Sequence, residues 1–371
     1  MPTMIVAWVS PLVLFLLFFA ALCPSLPAQE RGWEAQWSRL IAEARREGKV
    51  VVMGSADPTL RRELPAAFSA KFGVSLEYIG GRGGDNLARL RMERRAGAYT
   101  VDAVTAGVTN MVEYYHEGLL DPLLPALLLP EVLDPAKWKK KKLWFVDPGE
   151  KYILRLYNYL ASGLLYLNRE QVKPGSFKSV HELLDPKWKG KISSLDPTIS
   201  GPGQAEATRF YLQLGEEFVK RLYIDQKPAF SRDKRQIVDW LARGSYPISI
   251  SAETEFVVEL KKQGLPVDMV SLPDAPGTLT AGNGLLALMN RAPHPNAARL
   301  FVNWLASKEG AELLGRARQK PTTRSDIDES YAVSWEVPKP GVSYFDLHSW
   351  EFTMNMREKV NERIKNILKG Q

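Results

Sequence analysis

The chain has 371 residues, with 49 Lys+Arg against 42 Asp+Glu and a formal charge of +7. Hydrophobic residues make up 45% and charged residues 25%, a globular composition that excludes disordered, collagen-like and linker-dominated readings. The single Cys excludes a disulfide framework and any Cys-based zinc or iron–sulfur site, and so small a basic surplus does not by itself point to nucleic acid.

The first element in chain order is a leader. Residues 1–28 carry no Asp, Glu, Lys or Arg, contain the apolar run Leu12–Leu22 and end in Leu26-Pro27-Ala28. This pattern predicts a secretory signal cleaved after about Ala28, although its first residues lack the usual Lys or Arg. The apolar stretch from Met4 to Leu22 is also long enough to remain in a membrane as an anchor. Cys23 follows Leu22 where a lipidation site wants a small residue. Either way, the folded part is expected outside the cytoplasm, and its length predicts about two domains.

Trp33, Trp37, Leu40, Ile41 and Ala44 recur at helical spacing, with Gly48 as the stop. Lys49–Met53 reads as a strand buried on both faces. A helix is predicted over 58–72 and a strand over 74–79. The loop Gly80-Gly-Arg-Gly-Gly84 follows, with Asp85 as N-cap of a helix that turns Leu87 and Leu90 inward. A third strand is predicted over 99–104. This β-loop-α rhythm implies a mostly parallel sheet covered by helices. Residues 121–147, rich in Pro, Leu, Trp and Lys, read as a long surface connection, and 152–159 and 164–168 as strands crossing between lobes. The rhythm then resumes with helices near 180–184, 204–214, 216–222, 235–242 and 253–263, and strands near 191–195, 246–250 and 285–290. Helices over 295–306 and 308–317 and an amphipathic helix over 351–368 complete the chain. No internal repeat is visible.

Several stretches are similar to one family, the extracellular solute-binding proteins of bacterial ABC importers. The run His181-Glu-Leu-Leu-Asp-Pro-Lys-Trp-Lys-Gly-Lys-Ile192 resembles a family signature and follows Tyr166-Leu-Asn-Arg169, the usual strand end before it. Pro293-His-Pro-Asn-Ala-Ala-Arg-Leu-Phe-Val-Asn-Trp-Leu305 and Ser307-Lys-Glu-Gly310 resemble a second, and Trp33–Met53 matches the family's opening helix and strand. The group it resembles within the family includes receptors for ferric iron, thiamine and aminoethylphosphonate. The resemblance implies an α/β type II periplasmic binding fold, two lobes joined by crossing strands and closing on a ligand. On that basis residues 29–155 are expected to form the first part of lobe 1 and 156–272 lobe 2. Residues 273–371 would be a return segment, mostly lobe 1, with the C-terminal helices. The implied protein is a periplasmic receptor, a monomer, that hands a small solute to an ABC permease and needs no cofactor. It would touch the membrane only through the permease or an uncleaved N-terminus.

Candidate ligand contacts follow from the loops at strand ends, where α/β sites gather. Gly81 and Gly83 let backbone approach a ligand, and Arg82 can fork onto a carboxylate or phosphate; the alternative is a plain turn with an exposed Arg. Asn86 stands where a dinucleotide fingerprint has its third glycine. Ser55 and Ala56 follow the first strand, and Thr105 and Gly107 the third. Ser200 and Gly201 precede a helix of the second lobe, where Glu253 is a polar residue suited to the cleft. These residues point to a small anion-bearing organic solute. Tyr114, Tyr115 and His116 form the alternative, since paired tyrosines mark ferric-binding members. The pair lies on a first-lobe helix, however, whereas 251–256 of the second lobe has no tyrosine. His181, His294 and His348 are widely spaced, which argues against a metal cluster. No G-x-S-x-G, H-E-x-x-H or cysteine nucleophile supports an enzyme on this fold, and a membrane-anchored sensor is the other rival. Nucleic acid is not an expected partner. The surplus charge resolves into two patches: five Arg within 82–95 and five Lys within 137–142. The Lys run reads as a solvated loop or as a contact for anionic headgroups or the permease.

Overall fold

A computed structural model describes residues 28–161, 163–199 and 201–370. The expected leader, apart from Ala28, lies outside the described residues, as does Ser200. The strands, in chain order, are β1 (Lys49–Ser55), β2 (Ser75–Gly81), β3 (Ala103–Ala106), β4 (Leu120–Asp121), β5 (Leu154–Arg155), β6 (Tyr159–Ala161), β7 (Leu164–Asn168), β8 (Ile192–Leu195), β9 (Ala229–Ser231), β10 (Ile248–Ser249), β11 (Val267–Ser271), β12 (Thr278–Thr280) and β13 (Leu285–Met289). The helices are α1 (Ala28–Glu47), α2 (Pro58–Phe72), α3 (Gly83–Arg95), α4 (Val108–His116), α5 (Pro130–Leu133), α6 (Pro202–Lys220), α7 (Lys234–Ala242), α8 (Thr254–Lys262), α9 (Pro295–Ala306), α10 (Lys308–Arg318) and α11 (Arg357–Leu368).

Each lobe has one large sheet, and a two-stranded sheet lies between them. The first large sheet has the order β2-β1-β3-β13-β4, with β5 also on β13; the second runs β11-β7-β10-β8-β9. Read from opposite ends, the two orders coincide. Each has three parallel strands, β2-β1-β3 or β9-β8-β10, followed by a strand antiparallel to them, β13 or β7. The sequence shows no such repeat because the shared feature is hydrogen-bond order, not side-chain identity.

Alternation places side chains on both faces of each sheet. In β13 all five residues are buried: Leu286 and Leu288 join one apolar cluster, Leu285, Ala287 and Met289 the other. In β7, Leu165 and Leu167 face one cluster and Tyr166 the opposite one. Two-sided burial is why these strands read as continuous apolar runs rather than as alternating ones. Asp102, fully buried, accepts from the Val51 and His294 N–H groups at 2.7 and 2.8 Å and so ties β1 to the start of α9.

Between the sheets lies the hinge. β5 is in the first sheet, β6 in the hinge and β7 in the second; β11, β12 and β13 make the return trip. β6 and β12 pair with each other, Tyr159 opposite Thr280.

The C-terminal segment divides between the lobes. Residues 273–371 were expected to belong mostly to lobe 1, where β13, α9 and α10 pack, whereas Phe352, Val360, Ile364 and Ile367 near the end are buried in a second-lobe cluster with Ala207, Phe210 and Phe218. An amphipathic helix must bury its stripe somewhere, and α6 offers the uncovered face. Smaller differences concern boundaries. The helix N-cap is Arg82, not Asp85, because β2 runs on to Gly81 and α3 starts at Gly83. The strand expected over 99–104 is Ala103–Ala106. The break expected between helices 204–214 and 216–222 is present within α6, at Gly215, whose φ is 84°.

Candidate functional site

The three parallel strands of the first sheet end at the same level, with Ser55 in register with Gly81 and Val52 with Ala103. Their loops therefore converge on one edge, which faces the hinge. Ser55, Gly83, Thr105 and the start of α4 from Gly107 to Asn110 form one wall of a cavity of about 340 Å3. Tyr157, Tyr159, the loop Gly282-Asn-Gly284, Arg318, Lys320 and His348 complete it.

Two helices open onto this cavity without side-chain caps. Neither Arg82, N-cap of α3, nor Gly107, N-cap of α4, makes a side-chain cap hydrogen bond. In α2, by contrast, the Asp57 carboxylate accepts from the Leu60 N–H at 2.9 Å. Uncapped N–H groups and the positive end of the helix dipole favour an anion at α3 and α4. Asn110 holds the two starts together, donating from Nδ2 to the Gly83 carbonyl at 2.6 Å.

The charged side chains lining the cavity are Arg318 and Lys320. Arg318 pairs with Asp57, and the Lys320 Nζ lies 2.6 Å from Oε2 of Glu336. Burial lowers the affinity of the Arg318 guanidinium for its proton. His348 is pushed down to about 4, by burial first and then by the neighbouring Arg357, so its ring is neutral at neutral pH. Burial raises both tyrosines, Tyr159 to about 12 and Tyr157 well above the ordinary phenol range. The Tyr157 hydroxyl donates to the Leu314 carbonyl at 2.9 Å. These rings rest on a glycine loop. A Cβ at Gly284 would stand 2.2 Å from Cδ2 of Tyr157, and one at Gly282, whose φ is +50°, 2.4 Å from the Tyr159 hydroxyl. Only hydrogen fits at either position.

A second cavity of about 340 Å3 lies against the other lobe, lined among others by Tyr159, Tyr166, Pro202, Glu206, Ser251, Glu253, Thr254, Glu255, Trp335 and Glu336. Tyr159 belongs to both cavities. Gly201 lines a third space of about 210 Å3 with Thr208, His348 and Arg357.

Of the residues singled out in the sequence, Ser55, Gly83, Thr105 and Gly107 come together in the first cavity. Glu253 lines the second cavity, paired with Lys234, and Gly201 the third. Ala56, Gly81 and Arg82 line none of these spaces. Ala56 and Arg82 are exposed, while Gly81 packs against Asn86, which itself donates to the Gly54 carbonyl at 2.9 Å. The cavity's cations come instead from Arg318 and Lys320, at and just past the end of α10, where the sequence gives no local signal. Gly282-Asn-Gly284, just before β13, is not among the residues singled out in the sequence, and the tyrosines pressed on it are visible only in three dimensions.

Tyr114, Tyr115 and His116 do not gather into a metal site. Tyr114 is buried in the first-lobe core, while Tyr115 packs edge-on to Tyr152 and Trp350, and His116 against Trp350. Tyr114 is only 1% exposed, and the Tyr115 ring is taken up by its aromatic neighbours. Among the described residues no group of three or more His, Cys, Asp or Glu is placed to hold a metal. In the lysine run, Lys139 pairs with Glu329, Lys142 with Glu150, and Lys140 sits 3.6 Å over the Trp144 ring.

The fold and the interlobe cleft define a type II periplasmic binding protein, and comparison with solved structures agrees. The Bordetella ferric binding protein superposes with a TM-score of 0.62 at 18% identity, covering 86% of this chain and 98% of its own. The Trichodesmium protein IdiA (FutA), in complex with iron and citrate, gives 0.60 at 15% over 86% of this chain and 99% of its own. AfuA of Actinobacillus pleuropneumoniae, with fructose-6-phosphate bound, gives 0.53 at 20% over 87% and 97%. The family model of the bacterial extracellular solute-binding proteins matches residues 53–312, and the chain belongs to that family. An uncharacterized Haemophilus influenzae protein is 25% identical over 333 residues, 81% of this chain and 88% of its own. The protein is thus a solute-binding receptor of the kind that serves ABC importers. No helix among the described residues is long and apolar enough to cross a membrane.

Proposed function

We propose that the protein is an exported, monomeric receptor for a small anion-bearing organic solute, which it delivers to the permease of an ABC importer without chemical change. One observation carries the ligand class. Two uncapped helix starts open onto a cavity of about 340 Å3 whose charged lining side chains are Arg318 and Lys320. Hydroxyl and amide groups of Ser55, Thr105, Thr109, Asn110 and Asn283 stand around them to complete an anion's hydrogen bonds. The solute closes the lobes by touching both, and release follows reopening at β6 and β12. The division of the chain into lobe 1, lobe 2 and a return segment is supported by the strand order, with the last helix assigned to lobe 2.

A thermal-shift panel of phosphates, phosphonates, carboxylates, polyamines and ferric ion on purified protein tests this reading. Anionic organic solutes should raise the melting temperature. A shift confined to polyamines or ferric ion refutes it. Turnover of a bound solute would establish an enzyme instead.

A further inference from the structure

We propose that the solute is a compact zwitterion, which binds by taking over the two halves of the Lys320–Glu336 ion pair. Its anionic group moves onto Lys320 and its protonated amine onto Glu336. The inference rests on the anion reading above and narrows it.

The pair stands at the boundary between the two cavities. Lys320 lines the first, Glu336 lines the second, and both line a space of about 520 Å3 next to them. Each side chain is only 14% exposed. The linings also differ in sign. The first cavity's charged side chains are basic, whereas the second presents Glu206, Glu253, Glu255 and Glu336. Glu206 is committed to Arg209 and Glu253 to Lys234. Glu255 makes no ion pair among the described residues and faces the same space as Glu336. Burial, with a contribution from Glu255, makes the Glu336 carboxyl harder to ionise, while Lys320 opposes this.

An anion that takes Lys320 for itself leaves the largely buried Glu336 beside Glu255 with only the more distant charge of Arg318, already paired with Asp57, which is costly. A solute that brings its own ammonium re-pairs both groups. Tyr159, shared by the two cavities, lies beneath Lys320 with its ring centroid 4.9 Å from Nζ. The two ends of the solute are therefore joined across one side chain, which calls for a short spacer.

Calorimetric titration of the purified protein tests this with matched probes. Phosphoethanolamine and β-alanine carry both charges, ethyl phosphate and propionate only the anion, and ethanolamine only the cation. The better zwitterion should bind about tenfold more tightly than its anionic partner. Glu336→Gln should erase that preference from both sides, weakening the zwitterion and tightening the simple anion. Lys320→Gln should weaken the zwitterion and the simple anion alike. Circular dichroism melting checks that the variants fold, and Glu255→Gln, at an exposed position, gives a milder form of the same loss. Equal affinity for zwitterion and anion, or an unchanged ratio in Glu336→Gln, overturns the zwitterion and leaves the anion reading standing. Binding of ethanolamine alone, or of no probe, overturns both.

Discussion

Gly284 lies at the junction of hinge and cavity, and Gly284→Ala is the substitution whose cost follows most directly from the structure. The new Cβ would meet Cδ2, Cγ and Cε2 of Tyr157 at 2.2, 2.8 and 3.0 Å. Ordinary contact needs more than 3.4 Å, so ring and loop must part by over 1 Å. The ring is 4% exposed and packed in the first-lobe core, and it can shift toward the cavity only by giving up its hydroxyl's bond to the Leu314 carbonyl. The loop is pinned as well, since Leu156 N–H donates to the Gly284 carbonyl and Gly284 N–H to Ala281, both at 2.8 Å. Overpacking of this kind costs about 1–3 kcal/mol, and disturbing a buried hydrogen bond adds about 1 kcal/mol. A loss of roughly 2–4 kcal/mol should lower the Tm of the first lobe by about 5–10 °C in calorimetry. The clash belongs to one pair, so a double-mutant cycle with Tyr157→Leu should show coupling of about 1 kcal/mol or more. If Gly284→Ala melts within about 1 °C of the parent, or the cycle is additive, the tyrosine does not rest on this loop as described.

Further outcomes concern pH, packing and metal. His348 is held near 4 by burial, below its unfolded value, so its contribution to stability is complete above about pH 6.5 and declines as pH falls towards 4, by up to ~3 kcal/mol; His348→Gln should flatten chemical-denaturation stability over that window. Asp268 is opposed by burial, yet bonds from Lys261 and Arg169 bring it down to about 2; its contribution is present above the unfolded value and lost as pH falls below about 4, a dependence Asp268→Asn should remove. Ile364→Ala should cost about 2–5 kcal/mol and lower the unfolding of the second lobe, not the first, in calorimetry with lobe-specific probes. Tyr115→Phe should leave ferric-ion titrations followed by visible absorbance unchanged, because its ring packs on Tyr152 and Trp350.

What could be read in advance follows from how local each feature is. β1 and β13 were legible because burial on both faces demands unbroken apolar runs, and α9 because its stripe recurs at helical spacing. Ser55, Gly83, Thr105 and Gly107 were legible because parallel strands put their outgoing loops on one edge. Arg318 and Lys320 were not, since nothing near Gln319 says that α10 ends beside Ser55. The emphasis on Arg82 had the opposite origin: a glycine-flanked Arg looks like an anion hook in one dimension, but as N-cap of α3 it is exposed. The lobe that α11 joins was not legible for the same reason, because amphipathicity announces that a helix packs but not on which lobe.

That last helix also fixes when the protein can finish folding. The second sheet is complete by Ser271, yet the face of α6 stays bare until residues some 150 positions later arrive, as the Thr208–Asn361 hydrogen bond across 153 residues illustrates. During synthesis the lobe would hold its strands while exposing Ala207 and Phe210, a partly assembled state prone to self-association. Closure of so long a loop is slow relative to local pairing. α11 thus acts as a completion signal: a chain cut short before Arg357 would have both halves of its clamp but only one of them sealed.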